Sequence, residues 1–170
     1  SFFIFLVITF PLNATNIAVV NIDNLITTNN EYNFIINEIE KNQKSHHSVF
    51  INQEKLLDQK LAKIEKSKLL LNENEIKNMI DKYNEDLEKF TIMVDDFNLH
   101  YQNQIVNIRK IILDEIILLI EKYANDNQIE LILDSTSYLI ATNSINITSK
   151  IKNELENIKL NLKFEDFQKN

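Results

Sequence analysis

Between Ile76 and Tyr101 the chain reads IKNMIDKYNEDLEKFTIMVDDFNLHY, with apolar residues at Ile76, Ile80, Tyr83, Leu87, Phe90, Val94, Phe97 and Tyr101. The steps alternate four and three without a miss, which is the heptad seam of a helix packed along another helix. After Gln104 the seam resumes at Ile108, Ile112, Ile116, Leu119 and Tyr123. Upstream, a weaker series runs through Phe50, Leu57, Leu61, Ile64 and Leu71, interrupted by Glu54 and Lys68. Between the two series stands Leu71-Asn72-Glu73-Asn74-Glu75. There Asn72 can cap a new helix, and Glu75, three residues on, completes a capping box. The spacing predicts an antiparallel helical hairpin over residues 31–125 with its tip near 72–75. Each arm would hold about 45 residues and reach about 65 Å at the helical rise of 1.5 Å per residue. The alternative is one continuous helix of about 95 residues dimerising in parallel. The hairpin is preferred because it lets the flanking segments meet in a single sheet.

Those flanks read as strands. Asn16 to Ile22 (NIAVVNI) is β-branched, and Ile129, Leu131, Ile132 and Leu133 form a second apolar run, followed by Tyr138 to Ala141. Both patterns suit buried strands, with Asp134-Ser135-Thr136-Ser137 as a turn between the last two. A closing helix is expected from Thr148 as N-cap, with Ile151, Leu155, Ile158 and Leu162 on one face. Where the returning arm ends, Ala124-Asn125-Asp126-Asn127 must supply a left-handed C-terminal residue, for which asparagine is the best substitute for glycine. The expected fold class is α+β, mostly α: a small β-rich base (15–30 and 126–170, with the C-terminal helix) carrying a long antiparallel coiled-coil arm. Three short strands and one helix make a small core, so oligomerisation through the base is expected, with Ile17, Val19, Ile129, Leu131 and Leu133 as candidate residues.

The 170-residue chain contains no glycine, no cysteine, no tryptophan and a single proline, Pro11. Lack of glycine excludes phosphate-cradling loops, dinucleotide fingerprints and nucleophile elbows, whose backbones need it. Lack of cysteine excludes disulfides, thiolate metal sites and a cysteine nucleophile. A net charge of −7 is a poor match for nucleic acid. Isoleucine, asparagine and lysine occur 27, 25 and 17 times, a bias that reads much of the asparagine as drift at solvated positions. Phe2 to Ile8 is wholly apolar, too short to span a bilayer as a helix but fitting the core of a secretory signal. Residues 1–14 are therefore expected to be part of a signal peptide cleaved after Ala14, the rival being a buried strand or short anchor.

The order of parts (an apolar leader, IAVVNI, a long helical hairpin, LILD, a Tyr-Leu-Ile stretch and an INIT helix start) resembles the Skp/OmpH family of periplasmic chaperones of Gram-negative bacteria. The most specific stretches are Ile17–Ile22 and Ile129–Leu155. The resemblance implies a homotrimer whose bases form a small barrel-like body, with three tentacle-like arms around a cavity. It implies an ATP-independent holdase that binds unfolded outer-membrane β-barrel proteins there, in the periplasm, without a cofactor. The family usually has an acidic residue where Asn146 stands, and its better-known members are basic, unlike this chain.

A holdase needs apolar surface that is accessible and dilute. Candidate client-binding residues are apolar and off the seam: Ile51, Leu56, Leu69 and Leu70 on the outgoing arm, Met79, Ile92, Met93 and Leu99 on the returning one. Methionine suits varied partners because its thioether adapts its shape. The bland account is a widened hairpin interface. The lysine-rich stretch Lys55–Lys68, net +3, admits contact with anionic membrane lipid or lipopolysaccharide near the tip. Glu73–Asp96, net −5, would lie alongside it, and pairing across the arm is the simpler account. His46 and His47 point about 100° apart on a helix and cannot share a metal on one face; His47 lies near the seam as a packing or solvated residue. No Ser, His, Asp or Glu grouping presents a nucleophile with its base, so no catalytic site, no metal site and no enzymatic activity are expected. The competing readings are an exported structural or adhesive coiled coil, and a cytosolic hairpin chaperone of the prefoldin type, which the leader disfavours.

Overall fold

The computed structural model describes residues 15–168, so the leader and its expected cleavage point lie outside the described residues. In chain order the elements are β1 (Ile17–Val20), α1 (Ile22–Thr27), α2 (Asn30–Ser67), α3 (Glu73–Asp126), β2 (Leu131–Asp134) and α4 (Thr148–Glu156). The chain divides into two compact units: residues 15–26 with 113–159, and residues 27–112 with 160–168.

In the first unit β1 and β2 pair in parallel, from Ile17 opposite Leu131 to Val20 opposite Asp134. Ala18, Val19 and Val20 are all buried, the continuous apolar run of a strand covered on both faces. The expected third strand at Tyr138–Ala141 does not form. A 3-10 turn at Ser135–Ser137, capped by the Asp134 side chain on the Thr136 N–H, leads the chain away from β2. The second edge of β1 is instead met by Asn146, bridged to Val19, and the Ile147 N–H donates to the Val19 carbonyl at 2.9 Å.

Side-chain caps join the strands to the helices. Asn21 Oδ1 accepts the Asn24 N–H at 2.9 Å, starting a short helix α1 within residues 15–30, the part of the base for which the sequence predicts only a strand. Asp134 Oδ1 accepts the Ile22 N–H at 3.0 Å. Thr148 is the first residue of α4 and not its N-cap; its hydroxyl accepts the Asn21 N–H at 2.9 Å, while Asn146 Oδ1 accepts the Thr148 N–H at 2.9 Å. At the end of α3 the left-handed residue is Gln128 (φ 54°), not an asparagine. The Ile129 N–H reaches the Ala124 carbonyl and the Gln128 N–H the Asn125 carbonyl, the paired bonds of a Schellman motif that hold a non-glycine residue in this region.

Burial pushes the Asp134 carboxyl up, but hydrogen bonds from Ile22, Thr136 and Ser135 outweigh it and hold the group below the usual carboxylate range. A carboxyl depressed in the folded state adds stability above its unfolded pKa and loses it as pH falls through the folded value. Asp134→Asn is therefore expected to lower stability by about 1 kcal/mol at neutral pH. The gap to wild type should close below about pH 4. Urea midpoints at pH 7 and pH 3 check this; a gap of equal size at both contradicts it.

The second unit is the hairpin. Asn29, buried, caps α2 by accepting the Tyr32 N–H at 2.9 Å. At the tip Asn72 Oδ1 accepts the Glu75 N–H at 3.0 Å and the Asn72 N–H donates to Glu75 Oε2 at 3.1 Å, the reciprocal capping box that the sequence predicts. Helix α2 and residues 73–112 of α3 run antiparallel: Phe50 meets Phe97 at 4.8 Å between ring centroids, and Lys60 bonds Asp86. This excludes the single continuous helix. The core holds Ile35, Ile39, Phe97, Tyr101, Ile108 and Leu162.

Leu162 is there for a reason the helical spacing concealed. Helix α4 ends at Glu156, so Ile158 and Leu162 are not on its face. Residues 160–167 have no regular secondary structure and lie along the hairpin, with Leu160, Phe164 and Phe167 packed against its core.

Candidate functional site

A two-helix arm covers each seam residue from one side only. Leu57, Ile64 and Phe97 are buried, whereas Leu61, Ile80 and Leu87 stay more than a third exposed. The seam is thus not used up inside the hairpin, as its regularity suggests, and it adds to the accessible apolar surface.

The structure brings three of the eight client-binding candidates together. Leu56, Ile92 and Met93 line a groove of about 540 Å³ between α2 and α3, with Leu57, Phe90 and Phe167 in its walls and Lys60, Asp86, Lys89 and Asp96 at its margins. Ile51 and Leu99 are exposed elsewhere on the arm, Met79 is half-buried, and Leu69 and Leu70 stand almost fully exposed at the tip. The groove is lined by apolar side chains together with two lysines and two aspartates.

The lysine-rich stretch is only partly matched by acids across the arm. Lys60 bonds Asp86, whose carboxyl is held below its usual range mainly by that bond. Lys68 instead pairs with Glu65 on its own helix at 2.7 Å. Exposed pairs of this kind contribute little to stability. Of the adjacent histidines it is His46, not His47, that is engaged. His46 lies 5.7 Å from the Phe97 ring and 6.1 Å from Phe167, and its Nε2 is 2.8 Å from Asp166 Oδ1. That bond is the main cause holding the Asp166 carboxyl below its usual range.

Among the oligomerisation candidates, Ile17 and Leu131 are paired neighbours at one end of the sheet and exposed, whereas Ile129 and Leu133 are half-buried. Val19 is 2% exposed within its own chain and has no surface to offer another. The sequence reading missed the larger signal beside them. Leu139 and Ile140 are 101% and 91% exposed, an adjacent apolar pair wholly in water. It also missed residues 160–167, although Leu160, Leu162 and Phe164 alternate as an extended segment would.

Residues 16–155 match the outer membrane protein (OmpH-like) family. The chain belongs to that family. An OmpH-like chain assigned as an outer membrane chaperone, from Caulobacter crescentus CB15, has a crystal structure that superposes with a TM-score of 0.73 at 8% identity, covering 97% of this chain and 98% of that one. At that identity the likeness is one of fold. No curated protein matches the chain. Membership of the OmpH-like family supports a chaperone role, and the segment 160–167 lies outside the matched residues.

Proposed function

We propose that this OmpH-like chain is an ATP-independent periplasmic holdase. It assembles as a homotrimer through its strand-bearing unit and binds unfolded outer-membrane β-barrel proteins in a cavity between its arms, preventing their aggregation. The observation that carries this reading is the open apolar groove of Leu56, Ile92 and Met93 on a helical hairpin. Contacts of this kind are individually weak, so holding comes from many of them at once and from confinement. Assembly is supported by Leu139 and Ile140, which give a second copy of the chain an apolar surface to cover. Contact with anionic lipid or lipopolysaccharide would fall to Lys55, Lys63 and Lys66, which, unlike Lys60 and Lys68, have no acidic partner within 4 Å among the described residues.

Replacing Leu56, Ile92 and Met93 together with Ser is expected to leave the helical content and oligomer mass unchanged. The concentration needed to suppress aggregation of a denaturant-diluted outer-membrane barrel protein should rise about fivefold to tenfold, the effect of losing about 1 kcal/mol of binding. Light scattering measures it. Loss of the oligomer would make these residues structural, and unchanged suppression would place the client surface elsewhere.

A further inference from the structure

Residues 160–167, LNLKFEDF, make contacts with the arm that are mostly directed at backbone. Glu31 accepts the Leu160 and Leu162 N–H groups on its two carboxylate oxygens, each at 2.9 Å. Asn161, between them at φ 53°, turns both N–H groups toward one anion, as in a backbone nest. Gln104 meets Glu165 as a strand would: its Oε1 accepts the Glu165 N–H at 2.6 Å and its Nε2 donates to the Glu165 carbonyl at 2.5 Å. The Tyr101 hydroxyl accepts the Phe167 N–H at 3.2 Å. These contacts touch backbone alone and could serve any segment of similar shape; the arm also reads a polar side chain, that of Asp166, whose Oδ1 lies 2.8 Å from His46 Nε2 and 3.2 Å from the Tyr101 hydroxyl. Apart from Asp166 the selection is apolar: Leu162 is buried in the arm core, Leu160, Phe164 and Phe167 pack beside it, and the Phe167 ring also walls the Leu56, Ile92 and Met93 groove.

We propose that this face of the arm is a binding track for extended segments with apolar side chains at alternate positions, and that residues 160–167 are its resident occupant, which a client displaces. Strands of outer-membrane barrels carry this alternation. The occupant's chemistry therefore names the class of client segment, an assignment that rests on the holdase reading above. Being tethered, the resident segment competes at an effective concentration of about 1 mM, so one short client strand displaces it only in that range and a chain presenting many does so at far lower concentration.

The chain has no tryptophan, so Phe167→Trp places a unique fluorophore in the track. Titrating the full-length variant with a synthetic peptide of residues 158–168 should shift the emission to the red as the resident segment leaves. A scrambled peptide lacking the alternation should need at least tenfold more. Glu31→Gln should shift the emission to the red before any peptide is added, since the resident segment loses a bond to a charged acceptor on each of two N–H groups. Phe164→Trp is a second reporter should the larger ring not seat at 167. Emission unmoved at saturating peptide, or moved equally by the scrambled one, overturns the proposal. Displacement by peptide without suppression of barrel-protein aggregation supports the track and overturns the holdase reading.

Discussion

Replacing Leu139 and Ile140 together with Asp is expected to convert the assembled protein into single chains. In one chain both side chains are bare to water, between two 3-10 turns in a stretch that pairs with nothing regular. Covering an aliphatic side chain of this size contributes about 1.5–3 kcal/mol, and an Asp left in the same place must shed its hydration without a partner. The loss recurs at every subunit contact, so association should weaken roughly a thousandfold or more. Multi-angle light scattering of residues 15–170 should read three copies of the chain for the wild type and one for the variant. Helical content should be retained, because neither residue contributes to the buried core. Equal masses for the two proteins would show that assembly runs through another surface.

The second large effect lies in the arm. Ile39 is fully buried in the cluster with Phe97, Tyr101 and Ile108. Ile39→Ala removes apolar burial and leaves a cavity in the cluster where the two helices and the 160–167 segment pack together, and should cost about 2–5 kcal/mol. Leu69→Ala, at the exposed tip, should change stability by less than about 0.5 kcal/mol. Urea denaturation followed by circular dichroism compares the two. Similar costs for both would mean that the hairpin is not held by this cluster.

The contrast between these sites shows what the sequence could and could not express. Heptad steps from Ile76 to Tyr101 found the hairpin, and the Asn72–Glu75 pair found its tip, because both depend on residues close in the chain. The same holds for β1, a β-branched run buried from Ala18 to Val20, and for the half-buried apolar run of β2. Tyr138–Ala141 has the same composition, yet whether it pairs depends on which segment takes the second edge of β1. Asn146 and Ile147 take it, and no local pattern shows that competition. Ile151, Leu155, Ile158 and Leu162 fall at helical spacing by coincidence; the helix stops at Glu156 and Asn161 turns left-handed, so Leu162 enters the arm core from an irregular segment. Nor is the asparagine all drift: Asn21, Asn29, Asn72 and Asn146 each cap a backbone N–H in a chain without glycine. At the candidate site, off-seam spacing identified Leu56, Ile92 and Met93. It overlooked the exposed seam positions, because periodicity reports which face a residue occupies and not how fully a single partner helix covers it.

The most direct test of the chaperone account is aggregation of a denaturant-diluted outer-membrane barrel protein, followed by light scattering with and without purified residues 15–170 and no nucleotide, the oligomer mass being read on the same sample. The account predicts suppression at about one trimer per client, since one cavity confines one chain. A folded oligomer that leaves aggregation unchanged would contradict it, and the chain would then have the architecture of its family without the holding activity.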